Sequence, residues 1–341
     1  MSRFSERLDC LQQRHRWLGF PIAVIYKFVD DQGGYLAALI TYYAFVSLFP
    51  LLLILTTILS YVLRNYPDLQ KRIVDSALSQ FPVIGDQLQT PEHLSGGPAG
   101  LIVGVAVALY GGLGVAVAFQ NAMNVAWSVP RNQRPDPIVA RVRGLVLLAT
   151  VGVAVIGLTV LSRLSAAIDF GGIWSRLSMI GSVALNTAVF VAAFKIGAAR
   201  TLGIRQVLPG ALSAAVLWQL LQTFGSIYVG NVIAHSTATN GVFALVLGLL
   251  AFLYLAAAMI VICAEIDVVR VNKLFPRALL TPFTEKVTLT PGDRRTYTGQ
   301  ALAQRNKDFQ QIDVSFDQPE QKDSSEVAPT CDPESQADDQ R

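Results

Sequence analysis

Long stretches of this chain carry no charge at all. No Asp, Glu, Lys or Arg lies between Asp31 and Arg64, between Glu92 and Arg131, or between Arg205 and Glu265. Only 15% of the 341 residues are charged and 52% are apolar, whereas about 25% of an ordinary soluble protein is charged. A water-soluble fold is excluded, and the gaps are of membrane size, because roughly 20 apolar residues cross the hydrocarbon core as a helix. Cysteine is scarce too. Cys10, Cys263 and Cys331 have no neighbour at C-x-x-C spacing, so neither a disulfide nor a metal site is read from them. There is no G-x-x-x-x-G-K-[ST], no H-E-x-x-H and no G-x-S-x-G, and the three histidines, His15, His93 and His235, are widely spread. A nuclease needs a ligand cluster or an acid–base pair in one aqueous compartment. The chain is therefore expected to be no enzyme, with no catalytic residue, no metal and no cofactor. The N-terminus, MSRFSERLDCLQQRHRW, lacks the apolar run of a cleaved signal peptide. The formal net charge of +3 comes from basic residues set in short segments between apolar runs, which is a topology signal rather than a nucleic-acid surface.

What the sequence does contain points to an all-α, polytopic membrane helix bundle. Six transmembrane helices are expected at about 35–63, 99–127, 144–161, 177–196, 207–229 and 242–266, within a membrane domain over 34–275. The last two share 59 uncharged residues, Gln206 to Ala264, with a break expected at Gly230 to Gly241. Pro50 removes a backbone donor inside the first span and predicts a kink. Gly100 and Gly104 have the G-x-x-x-G spacing that lets helices approach closely. Residues 1–33 read as a basic, amphipathic lead-in, with Leu18, Ile22, Ile25 and Val29 at helical spacing, suited to a membrane surface or to a solvated helix. In the loop after the first span, Leu69, Ile73 and Phe81 predict a short amphipathic helix. Residues 281–341 are polar, and 320–341 hold seven acids, two bases and no aromatic residue, which predicts a largely disordered tail. Arg3, Arg7, Arg14, Arg16 and Lys27 precede the first span, and Arg131, Arg134, Arg141 and Arg143 follow the second. By the positive-inside rule both termini are then cytoplasmic, with 65–97, 165–176 and 230–241 external.

With that topology, the first span, AALITYYAFVSLFPLLL, resembles the signature of the YihY/BrkB family of bacterial inner-membrane proteins at Ala37, Tyr43, Ser47, Leu48, Phe49 and Pro50. Gln120, Asn121, Asn124 and Trp127, Pro209–Gly210, Tyr254 and Ala264–Glu265 extend the resemblance over about residues 20–275. Cys263 stands where a glycine is common in the family. The resemblance implies a plasma-membrane protein linked to virulence, serum resistance and envelope-lipid transport. It also brings a ribonuclease BN label that does not fit such an architecture.

Several polar groups fall inside the expected spans. Gln120, Asn124 and Trp127 share a face at i, i+4, i+7, with Asn121 one step round. They form either a polar path or headgroup site, or amides that bond a neighbouring helix, the commoner role. Tyr43 and Ser47 precede Pro50, whose break either lines a transport site or is a plain kink with a hydroxyl on the freed carbonyl. Gln219, Gln222, Thr223 and Ser226 make a stripe on the fifth span that is expected to face the second-span amides or to bond structurally. Ser47, Pro50, Gln120 and Asn124 are expected to meet in one interior polar region. Glu265 is the deepest acid, a proton or cation site or else a snorkelling interfacial group, while Asp267 and Arg270 pair at i, i+3. The function expected is a transporter or flippase-like permease for a lipid or other envelope component. The alternative is a scaffold for envelope assembly. Membrane lipids are the expected partners, envelope-assembly proteins a second class, and nucleic acid none.

Overall fold

The computed structural model describes residues 12, 16–62, 98–167, 172–228, 238–279 and 289–316, and within them it is all-helical with no strand. The helices are α1 (Arg16–Asp30), α2 (Gly33–Val62), α3 (Pro98–Ala126), α4 (Pro137–Ala167), α5 (Gly172–Gly197), α6 (Ile204–Tyr228), α7 (Ala238–Asn272) and α8 (Pro291–Ala303), with a 3₁₀ turn at Arg131–Gln133. Helices α2 to α7 fall on the six apolar runs of the sequence. Three described stretches, Pro137–Ala154, Ile204–Gly225 and Val246–Asn272, are long and apolar enough to cross a membrane. Gly33–Leu48 and Gly181–Gly197 are shorter apolar helical stretches. The expected loop helix around Leu69 to Phe81, the whole of the expected external segment 65–97 and residues 230–237 lie outside the described residues, whereas most of 165–176 is helical, in the end of α4 and the start of α5.

Packing pairs run α2–α3, α3–α4, α4–α5, α5–α6, α6–α7 and α7–α2, which closes the long helices into a ring. Helix α3 also meets α5 and α7 across it, and α1 lies on α7 and α2. The closest approach depends on glycine. A Cβ on Gly111 would stand 2.5 Å from Cβ of Ser47, and one on Gly114 would stand 2.2 Å from the Tyr43 ring. Small residues at such crossings let two helix backbones come together where apolar burial from water gives no drive. Gly111 and Gly114 play this part; the surroundings of Gly100 and Gly104 lie outside the described residues. The outer faces of α4 (Ile138, Val142, Leu145, Val146, Val153) and α6 (Leu208, Leu212, Val216, Phe224) are exposed and apolar. Such faces suit lipid, which offers no hydrogen bonds and demands none.

Three helices contain an internal proline, Pro21 in α1, Pro50 in α2 and Pro209 in α6, and the last two differ in outcome. Helix α2 continues through Pro50, and the Ser47 hydroxyl donates to the Ala44 carbonyl at 3.1 Å, not to that of Val46, which Pro50 leaves without its usual donor. In α6, Pro209 cannot donate to the Arg205 carbonyl, and the Gly210 N–H turns away to the Asp267 carboxylate at 2.7 Å. Both stranded carbonyls, of Arg205 and Gln206, accept from the Arg270 guanidinium at 2.6 and 3.0 Å. Asp267 and Arg270 thus repair the break in α6, whereas their i, i+3 spacing predicts that they pair with each other. Asp267 is fully buried.

The expectation of a disordered tail over 281–341 is corrected for residues 289–316. Thr290 caps α8 through a reciprocal capping box with Asp293, and Gly292, Asp293, Thr296 and Ala303 are buried. Composition points to disorder because α8 has almost no apolar face. What holds it is a set of polar contacts to the rest of the chain. Residues 317–341 lie outside the described residues.

Candidate functional site

At one end of the bundle, α1, α3, α7, the 273–279 segment and α8 converge. Their helix ends turn sharply. Gln32, Ser128 and Lys273, which follow α1, α3 and α7, take φ of 55°, 50° and 53°, a left-handed conformation that costs a non-glycine residue roughly 1–2 kcal/mol. The turn after α3 satisfies its carbonyls by Val129 N–H donating to Asn124 at 2.8 Å, and that after α7 by Leu274 N–H donating to Val269 at 3.0 Å.

Inside this convergence six charged side chains are removed from water. Lys27 of α1 is buried, donates to Asp31, and donates to the Ala126 carbonyl at the C-terminus of α3 at 3.2 Å. A cation suits that end, where unpaired carbonyls carry partial negative charge. Glu265 of α7 is fully buried with a carboxylate oxygen 3.9 Å from the Lys27 ammonium, yet neither of its oxygens accepts a hydrogen bond. Asp31 also accepts from Gln300 of α8 at 2.9 Å. Arg277, fully buried, donates to Asp293 and, at 2.9 Å, to Asp30, with its guanidinium 5.9 Å from the Tyr26 ring and 5.3 Å from that of Tyr297. Asp293 takes further donors from Ala278 N–H at 3.0 Å, Thr290 N–H at 3.0 Å and the Thr290 hydroxyl at 2.7 Å. Burial opposes the charged form of Lys27, but Glu265, Asp31 and Asp30 together outweigh it and hold the ammonium above its ordinary value. Arg277 behaves alike, with Asp30 and Asp293 outweighing its burial. Burial pushes the Asp30 carboxyl up in spite of Arg277.

A cavity of about 390 Å³ adjoins the cluster, with Asp30, Asp31, Tyr35, Asn121, Arg134 and Gln300 in its wall. Asp31 therefore belongs to both the buried cluster and the cavity.

The polar residues singled out from sequence are placed as follows. Gln120 is buried and donates to the Ala140 carbonyl of α4 at 2.9 Å. Asn121 accepts from Arg134 at 3.1 Å, and Asn124, buried, accepts from the Ala199 N–H after α5 at 2.7 Å. Trp127 is buried under the Arg200 guanidinium, 5.8 Å from its ring. Each of these groups ties α3 to a neighbour. Ser47 and Asn124 do not meet, contrary to expectation. Ser47 packs at Gly111, and Asn124 lies 13 residues further along α3, about 20 Å away at 1.5 Å per residue. The side chain of Pro50 lies outside the described residues. Tyr43 packs on Gly114 and against the Tyr110 ring at 6.2 Å between centroids. Gln219 and Gln222 are half-buried on α6, which packs chiefly on α5 and α7, so the stripe does not face the α3 amides. Glu265 does not snorkel. Sequence reasoning misses Lys27, Asp31, Arg277 and Asp293: Ile25 and Val29 of the apolar face read in the lead-in are exposed, Lys27 lies on the opposite, buried face with Ala23 and Val24, and the one signal available is its i, i+4 spacing to Asp31.

A model of the virulence factor BrkB family matches residues 24–284, which take in Lys27, Asp30, Asp31, Glu265 and Arg277 of this arrangement but not Asp293 and Gln300 of α8. The chain belongs to the BrkB family. The resemblance seen in the Ser-Leu-Phe-Pro run is thereby established, and with the apolar helices it makes the chain a membrane protein. This BrkB-family chain is also similar to the ribonuclease-like protein YfkH of Bacillus subtilis (strain 168), at 25% identity over 257 residues, which cover 71% of this chain and 91% of that protein. No solved structure matches it.

Proposed function

We propose that this protein is a six-span plasma-membrane protein with both termini cytoplasmic, acting as a transporter or flippase-like permease for a lipid or another amphiphilic envelope component. The observation that carries the reading is the buried Lys27–Asp31–Glu265 cluster at the end of α7, the helix with the longest apolar span. Charge held inside an apolar bundle is expensive, and in membrane proteins it marks ion and substrate pathways. The adjoining cavity, with Arg134 and Asp30 in its wall, supplies water access from one side. The two apolar outer faces on α4 and α6 support contact with lipid acyl chains. We take the protein to be no enzyme, on the ground that its sequence carries no nucleophile, phosphate-loop or metalloprotease motif, and the ribonuclease-like name belongs to the Bacillus relative. Membrane lipids are its partners, and nucleic acid is not.

The test is transbilayer movement of a fluorescent phospholipid in vesicles containing the purified protein. Expected is faster equilibration between leaflets than in empty vesicles and in vesicles with heat-inactivated protein. Equal rates with folded protein would leave the scaffold reading, which the docked 289–316 segment and its exposed Phe309 favour. A scaffold would capture envelope-assembly proteins through that segment.

A further inference from the structure

The buried cluster is short of positive charge. Four carboxylates, Asp30, Asp31, Glu265 and Asp293, face two cations, Lys27 and Arg277, and all six side chains are at most 7% exposed. The distribution is uneven. Arg277 serves Asp30 and Asp293, and Asp293 has three further donors of its own. Lys27 and Gln300 serve Asp31. Glu265 is left over, fully buried, with neither oxygen accepting a hydrogen bond and the nearest ammonium at 3.9 Å. An ionised carboxylate held so, without donors, is strongly unfavourable even beside a countercharge.

We propose that Glu265 is a proton-binding site, loaded from water in the Asp30–Asp31 cavity by way of Asp31. One proton removes the uncompensated charge. It also turns Glu265 from an acceptor without donors into a donor, and Asp31 is the acid that faces it. In loading, a hydronium ion of the cavity gives its proton to the Asp31 carboxylate and is left as water, and Asp31 passes the proton to a Glu265 oxygen, forming the O–H bond there and returning Asp31 to its carboxylate; unloading is the reverse. From α1, Glu265 is faced by Lys27, Asp31 and Asp30. Helices α2 and α3, also packed on α7, contain no Asp, Glu, Lys or Arg. The single such residue of α6, Arg205, is exposed, and on α7 itself Asp267 is committed to Gly210. A divalent metal fits poorly, since no three of the described acids, cysteines or histidines are grouped as ligands. The two states differ mechanically. Loaded, Lys27 is shared by Asp31 and the Ala126 carbonyl; unloaded, it is drawn toward Glu265, which changes how α1 sits on α7. The inference rests on the transport reading only for its purpose. The protonation state of Glu265 is measured with no transported substrate, so either idea can fail without the other.

The test is infrared difference spectroscopy on the purified full-length protein in lipid nanodiscs, stepped from neutral to alkaline pH. Expected is a protonated-carboxyl C=O band at neutral pH that is lost on the step, is absent from Glu265→Gln, and shifts in frequency in Glu265→Asp. The Glu265→Asp variant serves if Glu265→Gln does not fold. The band should be the same in sodium and in choline chloride. Absence of any band at neutral pH, a band unchanged by both substitutions, or one that disappears in sodium but not in choline would overturn the proposal.

Discussion

At the residue scale, the amides of α3 have one geometry with one physical meaning: each is a connector. Asn124 accepts the Ala199 N–H at the point where α5 ends and the chain turns toward α6. Leucine there removes the acceptor and leaves a half-buried N–H unpaired, which costs up to about 1–3 kcal/mol, the figure for a fully buried donor. Asn124→Leu is therefore expected to lower the melting temperature in detergent, with activity falling only as folded protein is lost. A variant of normal stability that had lost activity would return Asn124 to the transport path. The same scale shows what sequence can reveal. That Gln120 and Asn124 share a face follows from helical spacing, but their partners Ala140 and Ala199 are backbone groups, which no side-chain pattern announces. In the sequence Lys27 is only one of five basic residues ahead of the first span, because its countercharge Glu265 is remote along the chain and only the fold brings them together.

At the element scale, the long apolar helices are legible because an uncharged run of membrane length has few other uses. Helix α8 is not. Few of its residues are apolar, and its cap signal, Thr290 with Asp293, is short enough to occur by chance in any polar tail. What fixes it is Arg277, fully buried and bonded to Asp293 on one side and Asp30 on the other. Gly292 fits so tightly that a Cβ there would stand 2.3 Å from the Pro276 carbonyl oxygen. Deleting residues 289–341 removes Asp293 and leaves Arg277 buried with half its partners, a loss of about 3–5 kcal/mol for a broken buried pair. The truncated protein is expected to melt well below the full chain, whereas deletion of 317–341, acidic and without an aromatic residue, is expected to change little. Equal melting of the two truncations would show that α8 contributes nothing to the bundle.

At the scale of the whole molecule, the distribution of Lys and Arg sets a sidedness. Cysteines introduced at Gln87 or Ser236, in a background with Cys10, Cys263 and Cys331 replaced, are expected to react with an impermeant thiol reagent on intact cells. One at Gln133, exposed in the turn between α3 and α4, is expected to react only after the membrane is opened. The reverse pattern would invert the topology. A bundle in which the helix preceding the ring shares a salt bridge with the ring's last member also has a history. Lys27 leaves the ribosome early, with Asp31 close behind it, but Glu265 arrives only with the last long helix and Asp293 later still. At about 5–20 residues per second, the lysine waits on the order of tens of seconds for its second carboxylate. During that interval α1 has only α2 and the Ala126 carbonyl of α3 to hold it, and its principal partner, α7, completes its seat when the last long helix is made.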